Sequence, residues 1–253
     1  MQRVTSRQNP RLREAVALVA SARERRKSGQ CVLEGEHVVT AFAARHGAPE
    51  TLIVTDAAMA TPAVRNLTER HAERTLVVSE ALFAGIASLP ASVGVLAIVM
   101  TPRPALAALA DFCLLLDGVQ DPGNVGSMLR SAAAAGVAQV LLSKPCAFAW
   151  SPKVLRAGQG AHFCLDIHED IDLPAWAQEY RASGAEVVAT VAAGGNSVFT
   201  APLAGRVALA IGNEGAGLSA ELVAQATQLV TIPMPGGVES LNAAAAAAIC
   251  LFE

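Results

Sequence analysis

Short apolar runs and amphipathic stretches alternate along this chain from Cys31 to its end, and the alternation predicts an α/β protein. Residues 31–35 (CVLEG) read as a strand, and residues 36–47 (EHVVTAFAARHG) as an amphipathic helix closed by Gly47. TLIVTD (51–56) and TLVVSE (75–80) are further strands with a helix over residues 61–73 between them, and VGVLAIVM (93–100) is a buried strand. The run Thr101-Pro102-Arg103-Pro104 then breaks the pattern, because two prolines flanking an arginine favour an extended linker. A domain boundary is therefore expected near residues 101–110, dividing the chain into 1–103 and 104–253. Beyond it, strand and helix alternate throughout, which argues for a parallel sheet with helices on both faces.

Three blocks of the second half share one plan: apolar strand, polar glycine-rich loop, helix. In LLLDGVQDPGNVGSMLRSAAAAGV, Leu114 to Val137, Asn124 is expected in the loop and Arg130 nearly two turns into the helix. VALAIGNEGAGLSAELV, Val207 to Val223, offers Gly212 and Glu214 in its loop and Ser219 as an N-cap. In TIPMPGGVESLNAAAAAAIC, Thr231 to Cys250, Pro233 and Pro235 cannot donate backbone hydrogen bonds, while Gly236 and Gly237 tolerate positive φ. Such a loop presents its backbone closely to a flat ligand. Ser240 stands where the N-cap of the last helix is expected, with Asn242 in the first turn. Each block alone is equally an ordinary connection of an α/β protein.

Together and in this order, the blocks resemble the three motifs of the SpoU (TrmH-like) RNA 2′-O-ribose methyltransferases of the SPOUT superfamily. The near-unbroken IGNEGAGLS and IPMPGGVESLN strings make the resemblance specific, and it covers roughly residues 111–253. It implies a parallel-sheet SPOUT catalytic domain whose C-terminal end, from about Val207, forms a trefoil knot, against the general rule that chains do not knot. SRQNPRLRE and RRKSGQCVLEGEHVV are similar, less specifically, to the small α/β substrate-binding domain, akin to certain ribosomal proteins, that precedes the catalytic domain in many of these enzymes. The resemblance also implies a homodimer in which each active site is completed by the partner. Ala243 to Ala248 replace the family's valine-containing start of the last helix, a departure that bears on dimer packing.

The cofactor so implied is S-adenosylmethionine, held bent between the backbones of the second and third blocks. Its contacts would fall on Gly212, Ile232 and Leu241, with Met234 lining the pocket; for Ile232 and Leu241 core packing is a compatible alternative. Asn124, Arg130, Glu214, Ser240 and Asn242 match the polar residues of the family's active site. Methyl transfer from a sulfonium to a ribose hydroxyl needs in-line approach and loss of a proton, so positioning can supply most of the catalysis. Arg130 matches the family's usual catalytic residue, yet a guanidinium is almost never deprotonated in proteins. Holding the substrate phosphate and stabilising charge on the 2′ oxygen suits it better. The alternative for Arg130 is a surface arginine with a carboxylate partner. Asn124 would orient substrate or Arg130, and Glu214 would order the loops or help with the proton.

Other classes fall away. Gly212-x-x-Gly215-x-Gly217 has the wrong spacing for a dinucleotide site, and no lysine follows a glycine loop as ATP binding would need. Cys31, Cys113, Cys146, Cys164 and Cys250 are scattered and mostly set among apolar residues, so buried small hydrophobes are expected rather than disulfides or zinc, and no metal is implied. No stretch of about 18 apolar residues suggests a membrane span. The opening residues lack the apolar core of a signal peptide, so a cytoplasmic protein is expected. The net charge of −3 conceals a split: residues 1–27 carry eight Arg/Lys against Glu14 and Glu24, a balance of +6 that leaves −9 for the rest. Such a basic helix is the footprint of phosphate contact, or else a solvated surface. The expected function is S-adenosylmethionine-dependent methylation of an RNA ribose 2′-hydroxyl, with rRNA ahead of tRNA because of the two-domain layout. The rival is a non-catalytic RNA-binding factor, for instance in ribosome assembly, against which stands the complete set of five polar residues.

Overall fold

Two sheets organise the chain, one in each of two units: Met1–Pro102 with Trp150–Phe163, and Arg103–Ala149 with Cys164–Glu253. The structure is a computed structural model that describes residues 1–88, 94–106, 110–237 and 240–253. Val93 of the expected strand 93–100, linker residues 107–109, and Val238 and Glu239 of the third block lie outside the described residues.

The first unit holds β1 (Gln2–Val4), α1 (Pro10–Ala20), α2 (Ala22–Ser28), β2 (Gln30–Glu34), α3 (Glu36–His46), β3 (Thr51–Thr55), α4 (Pro62–Arg70), β4 (Thr75–Val78), α5 (Glu80–Ala84) and β5 (Val95–Met100). Its sheet runs β1-β4-β3-β5-β2, parallel among β1, β4 and β3 and antiparallel through β5 and β2. Every residue of β3 and β4 is buried, which explains their continuous apolar centres, Leu52–Val54 and Leu76–Val78. Leu12, Ala15 and Leu18 of α1 join Ile53, Leu96 and Ile98 in one core.

The basic segment is not a single helix. It is β1 followed by α1 and α2, broken at Ser21, whose hydroxyl caps α2 by accepting from the Glu24 amide at 3.2 Å. Arg25 is only 6% exposed and donates to the carbonyls of Leu18 and Val19, so it satisfies the end of α1. Burial lowers the pKa of its guanidinium. Arg3 pairs with Asp56 at 2.7 Å and Arg11 with Glu14 at 2.8 Å. Part of the +6 excess is thereby committed to the fold.

The second half contributes β6 (Phe112–Asp117), α6 (Pro122–Ala134), β7 (Gln139–Leu142), α7 (Pro152–Gly158), β8 (Asp166–His168), α8 (Leu173–Ala182), β9 (Glu186–Thr190), β10 (Asn196–Ser197), β11 (Val207–Gly212), α9 (Ala220–Val223), β12 (Gln228–Thr231) and α10 (Ala243–Phe252). Of these, α7 belongs to the first unit and packs on β2; Phe163 beyond it meets Phe42 edge-on, centroids 5.5 Å apart. A single cut at 103/104 does not describe that segment. The remaining strands form a wholly parallel sheet, β10-β12-β9-β11-β6-β7-β8. Cys31, Cys113 and Cys250 are buried, and burial pushes the thiols of Cys113 and Cys250 up to about 11. Cys146 is half-buried and Cys164 exposed, so the expectation of buried cysteines holds for three of the five.

Arg25→Ala is expected to destabilise the first unit by about 2 kcal/mol, the scale of buried hydrogen bonds to a charged group. Arg23→Ala, on the exposed side of the same helix, should stay within about 0.5 kcal/mol. Chemical denaturation of both variants measures the difference; equal stabilities would remove the structural role given to Arg25.

Candidate active site and cofactor cavity

β6 and β11 lie side by side with Leu116 opposite Ile211 and Asp117 opposite Gly212, so the first two motif loops leave the sheet together at its carboxyl edge. Strand order reverses there: β7 and β8 follow on one side, β9 on the other. Open parallel sheets bind ligands at such a point. The second loop folds back so tightly that a Cβ on Gly212 would stand 2.3 Å from the Gly217 carbonyl carbon. Asn213 and Gly217 exchange both backbone hydrogen bonds at 2.9 Å. The Asn213 Oδ1 accepts from the amides of Gly215 and Ala216, and its Nδ2 donates to the Gly118 carbonyl at 2.8 Å, tying the second loop to the first. Ser219 does occupy the N-cap of α9, but its hydroxyl donates to Asp117 Oδ2 at 2.6 Å, as does its amide at 2.9 Å.

A cavity of about 600 Å3 opens where the ends of β9, β11 and β12 meet α10. Gly212, Ile232, Met234 and Leu241 all line it, together with Glu214 and Ser240. Sequence reasoning missed Thr190, Val191 and Ala192, which form another part of the wall. Their signal was the small-residue run Ala192-Ala193-Gly194-Gly195 just after an apolar strand. It also missed Asp117 and Asn213, the two side chains that fix the loops.

Three of the five expected polar residues are hydrogen-bonded in series. Asn242, not Ser240, is the N-cap of α10: its Oδ1 accepts from the amides of Ala244 and Ala245 at 3.0 and 3.2 Å. That fixes its amide, whose Nδ2 donates to Asn124 Oδ1 at 2.9 Å. Asn124 in turn donates from Nδ2 to Glu214 Oε1 at 2.6 Å. The polarity of the whole chain is thus set by a helix end, and it finishes on an acceptor-only carboxylate in the cavity wall. Asn124 is helical rather than in the loop, because Asp121 caps α6 and accepts from the Asn124 amide at 2.8 Å. Arg130 is exposed and lies outside the cavity lining. Six residues along a helix turn it about 120° from Asn124, so α6 does not aim both side chains at one point.

The cavity fits S-adenosylmethionine in chemistry. Glycine-rich backbone at Gly212, Gly215 and Gly217 lines the cavity together with the apolar Ile232, Met234 and Leu241. A volume of this size suits a small cofactor. Among the described residues no group of His, Cys, Asp or Glu is placed to hold a metal ion, and no helix is long and apolar enough to cross a membrane.

The model of the SpoU rRNA methylase family matches residues 111–252, and that of the MRM3-like substrate-binding domain matches residues 9–97. The chain belongs to the SpoU rRNA methylase family. A Bacillus subtilis relative named 23S rRNA (guanosine(2553)-2′-O)-methyltransferase RlmP is 32% identical over 253 residues, covering 100% of this chain and 99% of that protein. The SpoU methyltransferase AviRb of Streptomyces viridochromogenes, solved with S-adenosylmethionine, superposes with a TM-score of 0.85 at 28% identity, over 97% of this chain and 96% of that one. The S-adenosylmethionine-bound rRNA methyltransferase of Sinorhizobium meliloti gives 0.84 at 30% identity, over 99% and 96%.

Substitutions at two positions separate the parts of this SpoU site. Gly212→Ala should abolish cofactor binding in calorimetry, since backbone at 2.3 Å cannot yield to a methyl group. Asn242→Asp keeps an acceptor for the helix cap but loses the Nδ2 donor, so stability should change by less than about 0.5 kcal/mol while methyl transfer falls; Asn242→Ala should also lose about 1 kcal/mol of stability. Thermal melts alongside activity check this, and full activity in Asn242→Asp would show that the serial hydrogen bonds are dispensable.

Proposed function

We propose that this chain transfers a methyl group from S-adenosylmethionine to a ribose 2′-hydroxyl of ribosomal RNA, as a cytoplasmic homodimer. The observation that carries the reading is the oriented series Asn242, Asn124, Glu214, which ends on a carboxylate in the wall of the cavity. S-adenosylmethionine, when bound, supplies a methyl group activated on a sulfonium sulfur. The backbones at Gly212, Ile232 and Leu241 hold it and Met234 packs against it. Glu214, its orientation set by Asn124, takes a hydrogen bond from the ribose hydroxyl and helps its proton leave. Ser240, exposed in the same wall, adds a hydroxyl contact to the bound groups. Arg130, exposed on α6 and outside the cavity lining, binds RNA phosphate and offsets charge near the 2′ oxygen, in its own site or in that of a second copy.

Ribosomal RNA ranks ahead of transfer RNA because the similarity to the rRNA enzyme RlmP runs the full length, through residues 9–97 that match a substrate-binding domain. The first unit then holds RNA while the second performs the chemistry. The packing of α10 on α6 and on β11 supports the further reading that the C-terminal segment is threaded as a trefoil knot.

Mapping 2′-O-methylated nucleotides in RNA from cells with and without this protein tests the function; identical maps would leave an RNA-binding factor without chemistry. Arg130→Ala should lower methyl transfer by about 100-fold or more with cofactor affinity unchanged. Arg130→Lys should be nearly as poor, since an ammonium cannot copy a planar fork of donors. Near-normal turnover of the lysine variant would reduce the requirement to positive charge alone.

A further inference from the structure

Helix α1 has two apolar faces. Leu12, Ala15 and Leu18 enter the core, whereas Val16, Ala17 and Ala20 are exposed, and with Arg13 they follow the i, i+3, i+4, i+7 spacing of a single outward stripe. Val16 is 43% exposed, one of the large apolar side chains the fold leaves in water. The stripe floors a cavity of about 360 Å3, closed on its other side by Leu82, Gly85 and Ile86 at α5 and the turn after it. Arg7 and Arg13 line the same cavity, and both are exposed. Glu14, the acidic neighbour of Arg13, is engaged by Arg11 at 2.8 Å. An apolar recess of this size with two exposed guanidinium groups is complementary to a flat ring bearing phosphates. Unpaired RNA offers that combination, because its bases are unstacked and can be splayed into a protein surface.

We propose that this recess takes one unpaired nucleotide of the RNA, its base against Val16, Ala17 and Ile86 and its flanking phosphates on Arg7 and Arg13. The inference rests on the reading of the first unit as the RNA-holding part and gives that reading a site. It makes the protein a reader of unpaired RNA at a point separate from the ribose that is methylated.

The test uses the full chain, with a short hairpin RNA carrying an unpaired purine loop and the fully paired duplex of the same stem. Ala17→Leu/Ala20→Leu fills the recess at exposed helix positions with a strong helix former and keeps every charge. It should weaken hairpin binding about tenfold, the scale of losing one base contact, with duplex binding and the salt slope unchanged. Arg7→Ala/Arg13→Ala should instead flatten the salt dependence of hairpin binding by about 1.4, two phosphates at about 0.7 each. Melting curves and cofactor calorimetry confirm that both variants are folded. A filled recess that binds the hairpin as the parent does, or that loses hairpin and duplex equally, overturns the proposal while leaving the RNA reading intact. A parent protein that binds neither RNA overturns both.

Discussion

The site depends on how closely the chain returns to the end of its own strand at Gly212. β11 lies between β6 and β9, and the loop after it comes back against the strand within a distance that excludes any side chain. That return brings Asn213 to the Gly118 carbonyl and Ser219 to Asp117, so the loops after β6 and β11 behave as one piece. Only then does the cavity have a fixed wall, and only then does Glu214 stand within reach of Asn124, ninety residues earlier. A backbone contact, and not a side-chain cluster, is the origin of the geometry.

What was legible in the sequence follows from how local each feature is. Strands buried on both faces wrote themselves as unbroken apolar runs, so β3, β4, β6 and β11 could be read with small errors at their ends. The motif glycines and the residues lining the cavity were readable because each lies in a short, distinctive string. The cap of α10 sits two residues past the expected Ser240, because Ser240 and Asn242 are both plausible capping residues and only the three-dimensional path decides between them, whereas Ser219 stands where the cap of α9 is expected. Arg25 was invisible as a structural residue: its role depends on carbonyls six and seven residues back across a helix break. Thr190 to Ala192 could not be assigned to the cavity, since only the strand order places them beside the second and third motifs.

Asn242 joins two tasks usually kept apart. As a cap it stabilises an alanine-rich helix whose small side chains let it pack closely on α6; as a donor it sets which way Asn124 points. Asp, Ser and Thr can all cap helices, but none presents an acceptor to a helix and a donor to a neighbour through one planar group. The permitted chemistry at this position is therefore far narrower than at Asp121 or Ser151, which are caps alone in the contacts they make here.

The return of Trp150–Phe163 to the first unit has a consequence for synthesis. Domains tend to fold from the N-terminus as the chain leaves the ribosome, and β1 through β5 are complete by Met100. Yet the patch on β2 and α3 that receives α7 and Phe163 stays uncovered until more than fifty further residues have emerged, among them β6, α6 and β7 of the other unit. The nascent chain must therefore carry an apolar surface through the interval in which the first motif loop is made. Maturation of the first unit is timed by the second, and a ribosome that stalls between Met100 and Phe163 releases a protein with an open flank.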